Sequence, residues 1–148
     1  MDSNKIKINF DDGAVLLGGM LIGCKGFKIS DLKNMDGLGA WKWYKQKKIV
    51  FARLDSHFQW EGWDLDSVIL DFENRQLRKI FFPFRPTPNS SGSVSAHPIS
   101  LKIEEELVNK KLIKEDNFEK KYTARFGEIA IQYDIRMLTI SMLMLYDI

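Results

Sequence analysis

Phe126-Gly127-Glu128-Ile129-Ala130-Ile131-Gln132-Tyr133, then Asp134-Ile135-Arg136, then Met137 to Tyr146, is the stretch that decides the fold. Two apolar-rich runs flank a short polar connection, which is the pattern of an antiparallel hairpin. The end of the second run, Leu143-Met144-Leu145, is apolar at successive positions, so both of its faces avoid water. Neighbouring side chains on a strand point to opposite faces. Such a strand is either central and covered on both sides or an edge that another chain covers, and the second case makes an oligomer through the C-terminal strand possible.

Working back along the chain, the same chemistry recurs. Lys5-Ile6-Lys7-Ile8-Asn9-Phe10 alternates polar and apolar residues, Asp11-Asp12-Gly13 is turn chemistry, and Ala14 to Leu17 returns. Gly18-Gly19 and Gly23 break or bulge the next segment. Ser30 is placed to cap a short helix, Asp31 to Met35, that ends near Gly37. Trp41 to Tyr44 and Ile49 to Leu54 flank the polar turn Gln46-Lys47-Lys48, and Val68 to Phe72 and Leu77 to Phe82 flank Glu73-Asn74-Arg75-Gln76. These runs are rich in β-branched and aromatic residues.

Residues 83–98 hold all four prolines and the run Asn89-Ser90-Ser91-Gly92-Ser93, which reads as a Pro/Ser-rich loop. Beyond it Ile99, Ile103 and Leu107 recur at helical spacing, widened by Leu101, Val108 and Leu112. Glu104-Glu105-Glu106 then falls toward the start of that helix and Lys110-Lys111 toward its end, as the macrodipole favours. The expected fold is α+β: a mainly antiparallel sheet, one principal helix near 99–113 and a short N-terminal helix. At 148 residues the chain is expected to form a single domain.

Composition removes several classes. Hydrophobic residues make up 45% and charged residues 28%, as in ordinary globular chains. The single cysteine, Cys24, forms no internal disulfide, which argues against a stapled secreted module. The most apolar stretches, Val15 to Gly23 and Leu138 to Tyr146, are far shorter than the ~20 residues a membrane helix needs. Residues 1–5 show neither the basic start nor the apolar run of a signal peptide, so the expected location is the cytoplasm.

Charge is segregated. Residues 25–58 carry eight bases and three acids, residues 59–73 five acids and no base, and residues 74–97 four bases and no acid. Such runs serve as solvated faces or as patches that complement a protein partner. In the acidic stretch Trp60 and Trp63 are interleaved with Glu61, Asp64 and Asp66. Aromatics rimmed by charge are typical interface anchors, so these five residues form the expected partner-binding surface. Together with Asp71 and Glu73 the same acids could also supply a carboxylate pair or a hard-metal site, but their spacing matches no EF-hand loop. No metal site and no cofactor is expected.

Other candidates carry less. Asp55, Ser56 and His57 are adjacent in sequence, whereas catalytic triads are assembled from distant segments, and no Gly-x-Ser-x-Gly elbow occurs. His97 lies in the Pro-rich loop. Cys24 has Lys25 beside it, which would lower its pKa, but a lone cysteine in an apolar stretch is more often a small buried hydrophobe. Trp41, Trp43 and Tyr44 are interleaved with Lys42, Lys45, Lys47 and Lys48, the materials of a single-strand nucleic-acid binder. On an alternating strand, however, Trp41 and Trp43 share a face, and the usual burial of strand aromatics favours a core reading over the binding one. Phosphate-loop and dinucleotide spacings of glycine are absent.

Two stretches resemble known families. Leu16 to Gly23, entering the expected helix, loosely resembles the start of β-lactamase-inhibitor-like and small outer-membrane lipoprotein modules. Phe126-Gly127-Glu128-Ile129 with Tyr133-Asp134 and the long last strand resembles the ending of some bacterial immunity proteins, which neutralise toxins delivered between competing cells. The resemblance covers less than half the chain and implies toxin binding without catalysis; it transfers no functional residue. The expected function is therefore a non-catalytic domain that binds a cognate protein toxin. The alternatives are a single-stranded nucleic-acid binder using 41–48 and a small-molecule carrier.

Overall fold

The computed structural model describes residues 5–32, 41–46, 49–54, 58–65, 67–85, 98–134 and 139–147; for 41–46 and 49–54 the description is of the backbone. The C-terminal hairpin is present as β12 (Gly127–Asp134) and β13 (Thr139–Tyr146), paired from Gly127 opposite Tyr146 to Asp134 opposite Thr139. On its other side β13 pairs antiparallel with β9 (Gln76–Pro83), Leu145 opposite Lys79 and Ser141 opposite Pro83. The double-faced apolar run is thus a central strand. Met142, Met144 and Tyr146 point into the core, and Leu143 and Leu145 stand half-buried on the opposite face. With both ladders filled, β13 offers no edge to a second chain.

From β9 the sheet continues through β8 (Val68–Glu73), β5 (Ile49–Leu54) and β4 (Trp41–Gln46), and from β12 through β11 (Glu119–Ala124) to β10 (Leu112–Glu115). All eight strands are antiparallel to their neighbours. A smaller sheet has the order β3 (Met20–Gly23), β2 (Val15–Leu17), β1 (Lys5–Ile8), β6 (Phe58–Trp60), β7 (Trp63–Leu65). Its β1–β6 ladder, with Lys5 opposite Gln59, is the one parallel pair among the described residues.

The two sheets are stitched at both ends of β9. At its start Leu77 donates its N–H to the Phe27 carbonyl (2.7 Å), and Lys28 bridges Gln76. Past its end Phe84 bridges Leu65, and the Arg85 N–H reaches the Asp64 carbonyl (3.1 Å). The core fills the space between the sheets: Ile6, Val15, Leu17, Ile22 and Trp60 from the small sheet meet Leu70, Phe72, Ile80, Phe82 and Met144 from the large one. At the C-terminal end the buried Tyr146 hydroxyl donates to the Gly13 carbonyl (2.7 Å), which ties β13 to the first hairpin turn. That turn is close-packed, for a Cβ on Gly13 would meet the Phe126 ring at 2.6 Å.

Turn chemistry explains the tight hairpins. Asn9 accepts N–H donors from Asp11 and Asp12, and Gly13 holds a φ of +80°. The β8–β9 turn is made by Asn74 and Arg75, both at positive φ (53° and 68°) without a glycine. That geometry matches the right-handed twist of the flanking strands.

The helical content is smaller than the sequence reading predicts, and the fold is predominantly β. The principal helix, α1, spans Pro98–Glu106 rather than 99–113. Its stripe is as expected, with Ile99, Ile103 and the following Leu107 all buried. Beyond it the chain turns, and Leu112 opens β10 instead of widening the helix. Glu104, Glu105 and Glu106 therefore occupy the last turn, where the macrodipole disfavours acids. Lysines offset this locally: Lys120 of β11 pairs with Glu104, and Lys102 lies 3.3 Å from Glu106. The expected helix at Asp31 to Met35 is not shown. A single 3-10 turn covers Ile29–Asp31, with the Asp31 carboxylate accepting from the Lys28 N–H (2.9 Å), and residues 33–35 lie outside the described residues. Of the predicted loop at 83–98, residues 86–97 also lie outside them.

Candidate functional site

The acidic, aromatic stretch forms the hairpin β6–β7. Its two-residue turn, Glu61-Gly62, has both φ angles positive (51° and 84°), as a tight two-residue hairpin turn matched to the strand twist requires. The alternation of the two strands then divides the five predicted contact residues. Trp60 turns inward and is 2% exposed, its ring edge-on to Phe10 (6.0 Å) and tilted against Phe84 (6.1 Å). It is a core residue and cannot anchor a partner, which corrects the expectation. Trp63 is half-buried against the same core, while Glu61 and Asp64 are exposed. Asp64 accepts a hydrogen bond from the Gln59 side-chain amide (3.0 Å), which orients its carboxylate. Asp66 lies outside the described residues.

The hairpin tip joins a wider acidic surface. Helix α1 presents exposed Glu105 and Glu106 beside it, and Glu61 is close enough to contribute to the rise in the Lys102 pKa. The main cause of that rise is the hydrogen bond from Lys102 to Glu106.

The remaining sequence candidates scatter. Asp55, Ser56, His57, His97, Lys47 and Lys48 lie outside the described residues. Trp41 and Trp43 occupy register positions opposite Leu54 and Ala52 in the β4–β5 ladder. Cys24 is partly buried beside the core, and burial pushes its thiol pKa up, with Asp31 and Asp12 acting in the same direction. That is the opposite of an activated thiolate.

Asp71 is buried on the outer face of the large sheet, 3.5 Å from Lys79 directly across the β8–β9 ladder. Burial raises its carboxyl pKa and Lys79 opposes the rise. Ile69, Phe81, Leu143 and Gln132 complete a pocket of ≈ 320 Å³ around this pair. Glu73 is exposed at the end of β8 and does not join it.

The sequence reading missed the surface around β10. All four residues of that edge strand are exposed, and an open cleft of ≈ 860 Å³ beside it is lined by Lys114, Asp116, Phe118, Glu119, Gln132, Tyr133 and Asp134. Phe118 is 61% exposed. Its backbone is fixed because Asp116 accepts the N–H groups of Phe118 and Glu119, both at 2.8 Å. Those two bonds hold the Asp116 carboxyl below the ordinary aspartate value. The signal for this turn was Asp116-Asn117 directly before an aromatic, a turn pair that the extended helix reading left unused.

Among the described residues no three His, Cys, Asp or Glu side chains converge to hold a metal ion, and no helix is long and apolar enough to cross a membrane. No protein-family model, curated protein or solved structure matches this chain.

Proposed function

We propose that this chain is a non-catalytic, protein-binding domain of the toxin-immunity kind, which blocks a basic cognate toxin by covering its working surface. The observation that carries the reading is the tight β6–β7 tip, where exposed Glu61 and Asp64 flank the half-buried Trp63. Carboxylates at a protruding tip attract a basic surface and speed encounter, while the exposed part of Trp63 supplies apolar contact. The chain carries a net charge of +2, so attraction to a basic partner depends on this local patch and not on the whole field.

The test is co-expression with the C-terminal domain of the protein encoded immediately upstream. Cell survival together with a purified complex, weakened by the double change Glu61→Lys and Asp64→Lys, is the expected result. Equal killing with and without the chain, and no complex, rejects the reading.

The second reading is a small-molecule carrier, favoured by the Asp71–Lys79 pocket on the outer sheet face. Its volume of ≈ 320 Å³ is at the lower end for ligand sites, which run from about 300 to 1,000 Å³. Binding of an amphipathic fluorescent dye that is lost in Phe81→Asp supports the carrier reading, and dye binding unchanged by that substitution removes it.

A further inference from the structure

We propose that β10 is the dimerisation edge of this protein, where a second copy pairs antiparallel about a two-fold axis at Ile113. The inference is independent of the toxin reading, because the β6–β7 tip belongs to the other sheet.

Two observations single out this edge. β10 ends the eight-stranded sheet, and a terminal strand presents backbone N–H and C=O groups with no ladder partner. The apolar surface is concentrated here too. Of the six large apolar side chains that stand exposed among the described residues, five lie between Leu101 and Phe118, with Val108 at 76% and Phe118 at 61%. Ile113, 43% exposed, has no Cα partner on β11, because the register shifts between Leu112 and Lys114. Its side chain is left free for another chain.

Charge identifies the occupant as a second copy. In a two-fold antiparallel ladder one residue must face its own copy, and every other pair is repeated by symmetry. The extended backbone runs from Lys111, whose carbonyl accepts the Thr123 N–H, to Glu115, and with Ile113 at its centre Glu115 faces Lys111 and Lys114 faces Leu112. Isoleucine meets isoleucine, and an acid meets a base on each side of it. The neighbouring registers fail. Centring on Leu112 sets Ile113 against Lys111 and leaves Glu115 without a base, and centring on Lys114 or Glu115 sets that charge against itself. Like charges directly opposite are destabilising. The pair that decides the register is therefore Glu115 with Lys111. Both are exposed, and the Glu115 carboxylate, 3.4 Å from Lys120, keeps lone pairs for a second donor.

Sedimentation equilibrium of the full chain over a concentration series tests the proposal. The expected result is a monomer–dimer equilibrium between 17.2 kDa and twice that mass. Ile113→Lys, which sets two ammonium groups face to face, should weaken it at least about tenfold. Lys111→Glu and Glu115→Lys should each weaken it by a comparable factor, and the double swap should restore it to within about threefold of the original. The swap changes only exposed charges, and circular dichroism of each variant verifies the fold. A chain that stays monomeric at about 1 mM overturns the proposal, since that concentration populates even a millimolar complex. A dimer indifferent to Ile113→Lys, or a double swap no tighter than the single changes, also overturns it.

Discussion

Trp60 and Phe118 are both large aromatics next to acids in short hairpins, yet one is 2% exposed and the other 61%. Trp60 sits on β6, the fourth strand of a sheet whose inner face is closed by the larger sheet. Phe118 sits in the turn between an edge strand and its neighbour, with no layer of the described residues above it. Neighbouring carboxylates have the same chemistry in both places. What differs is how many layers of chain lie over each position, and this alone makes one aromatic core and leaves the other as contact surface.

The largest expected effect breaks the buried side of this contrast. Trp60→Ala leaves a cavity between Phe10 and Phe84 and should cost about 3–5 kcal/mol, read as a lowered midpoint in urea. A loss under about 1 kcal/mol would place Trp60 on the surface after all.

Tyr146→Phe removes only the hydroxyl that caps the Gly13 carbonyl and leaves that acceptor buried. The expected cost is about 1–3 kcal/mol in the same measurement.

Two aspartates extend the comparison to pH. Asp71, raised by burial, should titrate above 3.8 in a carboxyl NMR titration, and Asp116, held by two N–H donors, below it. The linkage signs are opposite. Asp71 favours the folded state most below pH 3.8, and that contribution is lost as pH rises through its raised value. Asp116 stabilises the fold above pH 3.8, and its contribution is lost as pH falls through its lowered value. Asp71→Asn should therefore make the protein relatively more stable as pH rises through the Asp71 titration. Shifts in the same direction for both groups would contradict the assigned environments.

The smallest effect sharpens the exposed side. Phe118→Ala, measured at dilution where any association is absent, should change stability by less than about 0.5 kcal/mol.

Much of the sheet was legible locally. The hairpins at 5–17, 41–54, 68–82 and 126–146 are written in alternation and turn residues, and each is present. Leu143-Met144-Leu145 called for a central strand, and β13 is one, paired on both edges by β12 and β9, with Met144 in the core and Leu143 and Leu145 half-buried on the outer face. The helix reading held only as far as its stripe was continuous. Ile99, Ile103 and Leu107 are buried, whereas Leu112 fits a helix and a strand equally well on period alone. Of the expected contact surface, Glu61 and Asp64 are exposed as predicted, but Trp60 is not, since its neighbours in sequence say nothing about Phe10 and Phe84.

By itself the sequence determined that this chain is built from antiparallel hairpins, because strand period and turn chemistry act over a few residues. Only the tertiary structure decided which strands are central, that β1 lies parallel to β6, that β9 stitches two sheets together, and that β10 is left as an edge. Those outcomes depend on burying apolar surface between segments tens of residues apart. That free energy belongs to pairs of elements, and no single stretch of chain carries it.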